Sequence, residues 1–334
     1  MTVVVDIHAH HFPTGLPDLA ATTGDHRWPS LVAGDEPRFM RGPELFRKVR
    51  PVAYDAVARV AELDVAGVDH QVISPVPVTL VDWAPAPLAA EFLAAQNDGL
   101  AQAAATSNGR LLALGAVPLQ DTDLALAEMM RCRDLGMVGI EITAMVDGRE
   151  LDDPSFVPFW DLAESEGIPI FIHPTHQQTT IRRTGQPYEF GIGMHTDTAL
   201  GAAALVYGGV LDRNPNLRVA LSHGCGSFAF THPRLRYMAA RMSTNPDEGA
   251  RLDALVRNLW VDALVFDPGV VDVLVQRFGA DHVMYGTDHP FLPEGFDGPR
   301  DVLTEALEAS SSPSSGLHGG CMGANAMAFL GLAT

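Results

Sequence analysis

Eight short apolar runs rich in valine, isoleucine and leucine recur along the chain, at residues 3–7, 71–74, 112–117, 138–142, 169–172, 217–221, 259–261 and 283–285. Amphipathic stretches with helical periodicity lie between them, at residues 56–66, 88–106, 124–135, 156–166, 198–211, 268–278 and 300–309. Buried strands that alternate with helices are typical of a parallel sheet. Eight such units predict an α/β fold of the (β/α)8 TIM barrel class, formed as one domain by residues 1–334.

The alternation breaks directly after the first strand. Residues 11–51 are rich in proline and glycine and contain Trp28 and Phe39, but show no clear core strand. A structureless loop of that length is uncommon inside a compact domain. We therefore interpret residues 11–51 as an insertion or lid within the barrel. Residues 310–315 have the composition of a linker, and residues 325–332 predict a short helix that docks on the barrel.

Charge, apolar run length and cysteine spacing argue against several classes of partner and site. The chain has 22 basic and 41 acidic residues and a formal net charge of −19, which argues against a nucleic-acid surface. Its apolar runs are shorter than the roughly 18 residues that span a bilayer, and we see no secretory leader. The three cysteines are far apart, which argues against a disulfide framework or a thiolate zinc site. We predict a cytoplasmic protein without a membrane partner.

Histidine and aspartate follow several of the predicted strands. His8 and His10 come at the end of the first strand, His173 directly after the fifth and Asp288 shortly after the eighth. Each could be a structural core histidine or, for Asp288, a capping residue. However, a barrel carries its chemistry at the carboxyl ends of its strands, and alternate residues of a strand face the same way. The joint placement predicts a site for zinc or another divalent metal, manganese or cobalt included.

His223, after the sixth strand, is a further histidine at the same end of the barrel. A metal with four protein ligands keeps room for water, and a histidine facing that water suits a general acid or base near neutral pH. A purely structural His223 is the alternative. The single lysine, Lys48, lies in the insertion, so a carbamylated lysine after strand four is excluded. We therefore predict one metal ion, with Glu141 as the candidate bridge if there were two.

These residues resemble the amidohydrolase superfamily, and more narrowly the family of aminocarboxymuconate semialdehyde decarboxylase. The resemblance rests on the order of Asp6-Ile7-His8-Ala9-His10, Phe46-Arg47-Lys48-Val49-Arg50, His173-Pro174, Ser222-His223-Gly224, Gly286-Thr287-Asp288-His289-Pro290-Phe291 and Ala326-Met327-Ala328-Phe329-Leu330-Gly331-Leu332. It implies Zn²⁺ bound by His8, His10, His173 and Asp288, with His223 and Asp288 as the catalytic pair.

The resemblance also implies how substrate is held. Two family arginines that bind substrate carboxylates match Arg50 and Arg234, and the second can reach the neighbouring subunit, which implies a homodimer. Bidentate arginine suits a planar carboxylate. The chain departs from the family where substrate would be recognised. Thr175-His176-Gln177 replaces an aromatic residue and an aspartate, residues 188–195 lack a tryptophan, and Cys225 replaces a glycine. We include His176 among the candidates for substrate binding.

Three functions are compatible with this site. The leading hypothesis is a metal-dependent decarboxylase, without an organic cofactor, of a carboxylated muconate semialdehyde or a related aromatic-catabolism acid. The alternative is a metal-dependent hydrolase of an ester, lactone or amide, whose first step uses the same groups. The third is a metal-binding barrel without activity, for which no feature of the sequence argues.

Overall fold

Eight parallel strands form a barrel in the part of the chain that this computed structural model describes, residues 3–175, 182–293, 295–309 and 320–332. The strands are β1 Val5–His11, β2 Pro29–Val32, β3 Arg38–Arg41, β4 Glu44–Lys48, β5 His70–Pro75, β6 Leu111–Ala116, β7 Gly139–Thr143, β8 Ile170–His173, β9 Val219–Leu221, β10 Leu259–Asp262 and β11 Val283–Met284. The barrel order is β1-β5-β6-β7-β8-β9-β10-β11. The Ile7 amide donates to the Tyr285 carbonyl at 3.0 Å, and Ala9 bridges His289, which closes the barrel. The predicted fold class is confirmed.

Helices connect the barrel strands. They are α1 Leu19–Thr23, α2 Ala56–Ala66, α3 Ala86–Ala105, α4 Thr122–Asp134, α5 Val157–Ser165, α6 Met194–Tyr207, α7 Val210–Arg213, α8 Phe228–Met242, α9 Glu248–Val256, α10 Pro268–Phe278, α11 Asp297–Ala309 and α12 Asn325–Leu330, with helical turns at Gln186–Tyr188 and Ser222–Cys225. The bounds of α2 follow from local chemistry, because Asp55 accepts from the amides of Val57 and Ala58, and Gly67 ends the helix at φ +62°. Every helix of the described residues is too short or too polar to cross a membrane.

The stretch of residues 11–51 contains α1 and a small antiparallel sheet in the order β2-β3-β4. Phe39 of β3 is fully buried. Its ring lies 4.7 Å from that of Phe12 and 6.2 Å from that of Phe291. Because Phe291 follows Asp288, this sheet lies beside the end of the barrel that carries the histidines. The function of the stretch as a lid stays a prediction, and residues 310–315 lie outside the described part.

The opposite end of the barrel is filled with apolar side chains. Inward-facing residues such as Val72, Leu114, Phe171 and Met284 are buried against Phe329 of α12. Each buried side chain of this size contributes roughly 1.5–3 kcal/mol. The predicted docking of the C-terminal helix is confirmed, and the apolar packing leaves polar chemistry to the carboxyl ends of the strands.

Candidate metal centre

Four side chains, three from barrel strands and one from the segment after β11, meet at the carboxyl end of the barrel. The ligand atoms of His8, His10, His173 and Asp288 lie within 4.8 Å of one another, and all four residues are buried. The Nε2 atoms of His8 and His10 are 3.2 Å apart, and Asp288 Oδ1 is 3.2 Å from His10 Nε2. The structure therefore brings the four predicted ligands together.

The hydrogen bonds of the imidazoles explain why this cluster suits a cation. His10 Nδ1 donates to the Pro75 carbonyl and His173 Nδ1 to the Pro174 carbonyl, both at 2.7 Å. His8 Nδ1 lies 2.7 Å from an oxygen of Asp262. Carbonyl and carboxylate oxygens only accept, so a neutral ring that donates from Nδ1 presents the lone pair of its Nε2 to the cluster. Three lone pairs and one carboxylate that converge in a buried space repel one another unless a positive charge lies between them.

Asp262, at the end of β10, is a functional residue that we did not predict from the sequence. Besides His8 Nδ1, it accepts from the amides of His223 at 2.9 Å and Gly224 at 3.0 Å. Burial raises the pKa of Asp262, but the hydrogen bonds from His8 and the Gly224 amide, together with the charges of His8 and His223, outweigh burial and lower the pKa overall. Burial lowers the pKa of His8, but the hydrogen bond to Asp262 and the nearby acidic groups together raise it to about 9. The site thus stabilises positive charge, which a divalent cation supplies.

His223 faces the four ligands from the neighbouring strand. Its ring centroid lies 4.9 Å from that of His173 and 5.2 Å from that of His8. The residue is 4% exposed, and its Nε2 has no hydrogen-bond partner among the described residues. Burial lowers the pKa of His223 to about 3, so the imidazole is neutral at neutral pH in the absence of metal. This placement suits the predicted acid or base.

The loop that presents His223 has a left-handed backbone. His223, Gly224 and Cys225 have φ values of +54°, +61° and +65°. A Cβ atom on Gly224 would lie 2.5 Å from a methyl group of Val265, so only glycine fits there. Successive amides in such a turn form a concave site for an anion, and here the Asp262 carboxylate fills it. The same carboxylate therefore orients a metal ligand and the loop of the candidate acid or base.

Comparison with known proteins agrees with this geometry. A model of the family described as Amidohydrolase matches residues 5–332. The chain is 34% identical to the 2-amino-3-carboxymuconate-6-semialdehyde decarboxylase of Dictyostelium discoideum, over 98% of this chain and 91% of that protein. The chain belongs to the amidohydrolase family. The narrower resemblance to the aminocarboxymuconate semialdehyde decarboxylase family is also confirmed.

Solved structures share the fold of this amidohydrolase. The IDCase of Metarhizium anisopliae, in its apo form, superimposes with a TM-score of 0.81 at 21% identity, over 98% of this chain and 97% of that one. A dihydroxybenzoic acid decarboxylase of a Polaromonas species, with bound manganese and the inhibitor 2-nitroresorcinol, superimposes with a TM-score of 0.74 at 22% identity, over 99% and 97%. At these identities the likeness shows the fold alone.

The pocket beside the metal ligands of this amidohydrolase contains an arginine that we did not predict. Arg47 lines it together with His173, Asp288 and the apolar side chains of Phe190, Met194 and Phe291. The Arg47 guanidinium carbon lies 4.8 Å from the centroid of the Phe291 ring. Phe190 also belongs to the tract in which we noted the missing tryptophan, so an aromatic wall is still present.

The structure does not bring the two predicted arginines to this pocket. Arg50 forms a two-pronged ion pair with Glu62, at 2.5 and 3.2 Å, and its side chain is 56% exposed. Arg234 is exposed on α8. The sequence motif contains arginines at positions 47 and 50. Which of the two side chains lines the pocket depends on the course of the chain at the end of β4. His176 lies outside the described residues.

Glu141, our candidate bridge, lies inside the barrel but outside the cluster of four ligands. It is fully buried on β7, in register with Phe171, whose ring contacts that of His8. Neither carboxylate oxygen has a hydrogen-bond partner of good geometry among the described residues. Burial raises the pKa of Glu141 to about 8. The carboxyl group is therefore mostly protonated at neutral pH in the absence of metal, and the single metal ion stays a prediction.

The raised pKa predicts a pH-dependent cost to stability. The carboxyl of Glu141 ionises near pH 4.5 in the unfolded chain but near pH 8 in the fold, so between these values the unfolded state holds fewer protons and folding weakens. We expect Glu141→Gln to gain stability over the wild type, by a few kcal/mol more at pH 8 than at pH 5. Urea unfolding of both metal-free proteins at the two pH values measures this difference. A difference that does not change with pH would contradict the assignment.

Proposed function

We propose that this chain is a metal-dependent decarboxylase of a carboxylated muconate semialdehyde or a related aromatic-catabolism acid. The observation that carries the proposal is the position of Arg47 in the pocket that His173 and Asp288 line. A guanidinium and a metal site on the same pocket suit an anionic substrate with a carboxylate and a second oxygen group. The activity named for the similar Dictyostelium protein supports the same chemistry.

Zinc is the metal we propose, because three imidazoles and one carboxylate are ligands that zinc prefers. The manganese in the Polaromonas structure makes Mn²⁺ the competing candidate, and Co²⁺ fits the same donors. When bound, the ion acts as a Lewis acid that draws electron density from a substrate oxygen. No organic cofactor is needed in this proposal.

The residues of the chain supply orientation and proton transfer. Arg47 holds a substrate carboxylate, while Phe190, Met194 and Phe291 confine a flat substrate. When the bond to CO2 breaks, its electron pair remains on the substrate carbon and must be taken up by a proton. His223 Nε2, without a hydrogen-bond partner in the described part of the chain, takes a proton from solvent water and delivers it to that carbon, so that hydrogen replaces the departing CO2. Asp288 stays ionised, since burial raises its pKa but the hydrogen bond with His10 and the charges of the neighbouring histidines together lower it.

The deciding experiment measures CO2 release by the metal-loaded protein with aminocarboxymuconate semialdehyde and a panel of hydroxybenzoates. We expect release from at least one acid, loss of release on chelation and recovery on addition of Zn²⁺. Esters and lactones form the control panel. Turnover of these compounds without CO2 release from any acid would favour the hydrolase, which uses the same metal and His223.

We expect Arg47→Met to raise KM for the acid about 10- to 100-fold, because a charge-assisted contact with the substrate carboxylate contributes roughly 1.5–3 kcal/mol. Arg50→Met is the matched control, since Arg50 lies three residues away and pairs with Glu62. Its KM should stay within about twofold of the wild type. Steady-state CO2 release measures both. A larger effect of Arg50→Met would support Arg50, the assignment made from sequence, over Arg47.

We further propose that the protein is a homodimer in which Arg234 reaches the partner's pocket. Supporting this, α8 exposes apolar side chains along the face that carries Arg234. The exposed fractions are 85% for Phe230, 61% for Tyr237, 47% for Met238 and 80% for Met242. Exposed apolar patches of this kind mark protein interfaces.

The expected cytoplasmic location also stays a prediction.

A charge on this face should separate the subunits. We expect Phe230→Glu to convert a dimer into a monomer in size-exclusion chromatography with light scattering. Val65→Glu is the control, because Val65 is 91% exposed on α2, outside α8. Mixing Arg234→Met with His223→Ala should then restore some activity, because one pocket of a mixed dimer has both residues intact. A monomeric wild-type protein would refute the dimer.

A further inference from the structure

A fully buried arginine lies behind the metal ligands, on the outer side of the barrel wall. Arg59 of α2 has no exposed surface. Its Nη2 donates to the carbonyl of His10 at 2.6 Å, and its Nε donates to the carbonyl of Val52 at 2.9 Å. Its Nη1 donates to Gln71 Oε1 at 2.9 Å and lies 3.2 Å from His289 Nδ1. All three nitrogens of the guanidinium are thus engaged with different chain segments.

This guanidinium is not neutralised by a direct ion pair among the described residues. The neighbouring carboxylate of Asp6 bonds instead to Gln71 at 2.8 Å and to the Thr287 hydroxyl at 2.6 Å. A buried charge is costly, and well-packed apolar side chains often replace buried ionic groups without loss of stability. A contribution to stability therefore does not explain well why an arginine occupies this position. The geometry of its donors, which bond several chain segments at once, explains it better.

Two of the four acceptors of Arg59 lie on the two segments that carry three of the four candidate metal ligands. The carbonyl it binds belongs to His10, a ligand on the strand that also carries His8. The ring it contacts belongs to His289, which follows the ligand Asp288. The far nitrogen of that ring, Nε2, lies 3.0 Å from Glu62 Oε2. Arg59 and Glu62 of α2 thus hold the His289 ring from both sides.

We propose that Arg59 is a positioning residue of the metal centre, which fixes the spacing between the His10 strand and the Asp288 segment through its bonds to the His10 carbonyl and the His289 ring. This inference rests on the proposed metal centre but not on the decarboxylase activity. Metal affinity depends on small distances between ligands, and loss of groups that orient ligands typically weakens metal binding 10- to 100-fold. Lysine keeps the charge of Arg59 but cannot reach the two segments at once, because it has a single donor atom.

Cobalt binding tests the proposal independently of turnover, because the visible spectrum of bound Co²⁺ reports ligand geometry. We expect Arg59→Lys to weaken Co²⁺ binding, measured by chelator competition, about 10- to 100-fold and to shift the spectrum. Arg110→Lys is the matched control, since Arg110 donates to the carbonyls of Asp69 and Val68, both at 2.7 Å, at the amino end of the strands. We expect it to lose stability without a change in affinity or spectrum.

Glu62→Gln provides a second variant in case Arg59→Lys does not fold, because Glu62 is partly exposed. We expect it to shift the Co²⁺ spectrum in the same direction by a smaller amount. Wild-type affinity and spectrum in Arg59→Lys, or in Glu62→Gln if the first variant is unfolded, would overturn the proposal. A wild-type protein that binds no Co²⁺ would refute the metal centre itself. Binding of Co²⁺ without CO2 release from any acid would refute the decarboxylase and leave this proposal standing.

Discussion

The His223→Ala variant should keep its metal and lose about 10²- to 10⁴-fold in turnover, the usual contribution of a positioned acid or base. The ring of His223 faces the ligands but is not one of the four residues whose ligand atoms converge. Its amide, which alanine retains, bonds to Asp262. The substitution therefore removes the proton-transfer group and leaves the ligand set intact.

Metal content and CO2 release, measured on the same preparation, test this prediction. His10→Ala gives the opposite pattern, because it removes a ligand and should lose metal and activity together. His232→Ala controls for the loss of a buried histidine elsewhere, since His232 bonds to Tyr207 and Asp253 at 3.0 Å in another part of the molecule. Full activity of His223→Ala would show that the acid or base is a different group.

The ligand set could be predicted from sequence because barrel geometry brings the carboxyl ends of all strands together. A histidine or aspartate directly after an apolar run is therefore placed without knowledge of any loop. The same rule finds Asp262, which follows Val261 at the end of β10. Barrel geometry alone would have placed this carboxylate beside the predicted ligands.

The substrate side could not be predicted, because it depends on loops. The choice between Arg47 and Arg50 depends on Glu62, which lies on α2 and is joined to Arg50 only by the tertiary fold. The left-handed conformation of Cys225 is also hard to predict from sequence, since this residue type seldom adopts it. These features are created by contacts between distant segments, and local patterns carry little information about them.

Asp262→Asn should weaken metal binding about 10- to 100-fold and lower turnover further than the loss of metal explains. Asp262 bonds to His8 Nδ1 and also to the amides of His223 and Gly224. Both amides donate, and His8 Nδ1 also donates when His8 presents its Nε2 to a metal. An asparagine has one oxygen in place of two, so it leaves at least one donor unpaired in a buried site. Loss of the negative charge also removes the stabilisation of positive charge on His8.

The measurement is metal affinity by chelator competition, followed by CO2 release at saturating metal. Metal affinity reports whether His8 is still oriented as a ligand. Turnover at saturating metal reports whether the His223 loop keeps its conformation, so the two measurements distinguish the two effects of the substitution. Asp253→Asn is the matched control, because Asp253 accepts from a buried imidazole, that of His232, at 3.0 Å but touches none of the four ligands. We expect it to keep wild-type affinity. Unchanged affinity in Asp262→Asn would mean that the Asp262 charge does not orient His8. Reduced affinity with normal turnover at saturating metal would mean that the His223 loop keeps its conformation without the carboxylate.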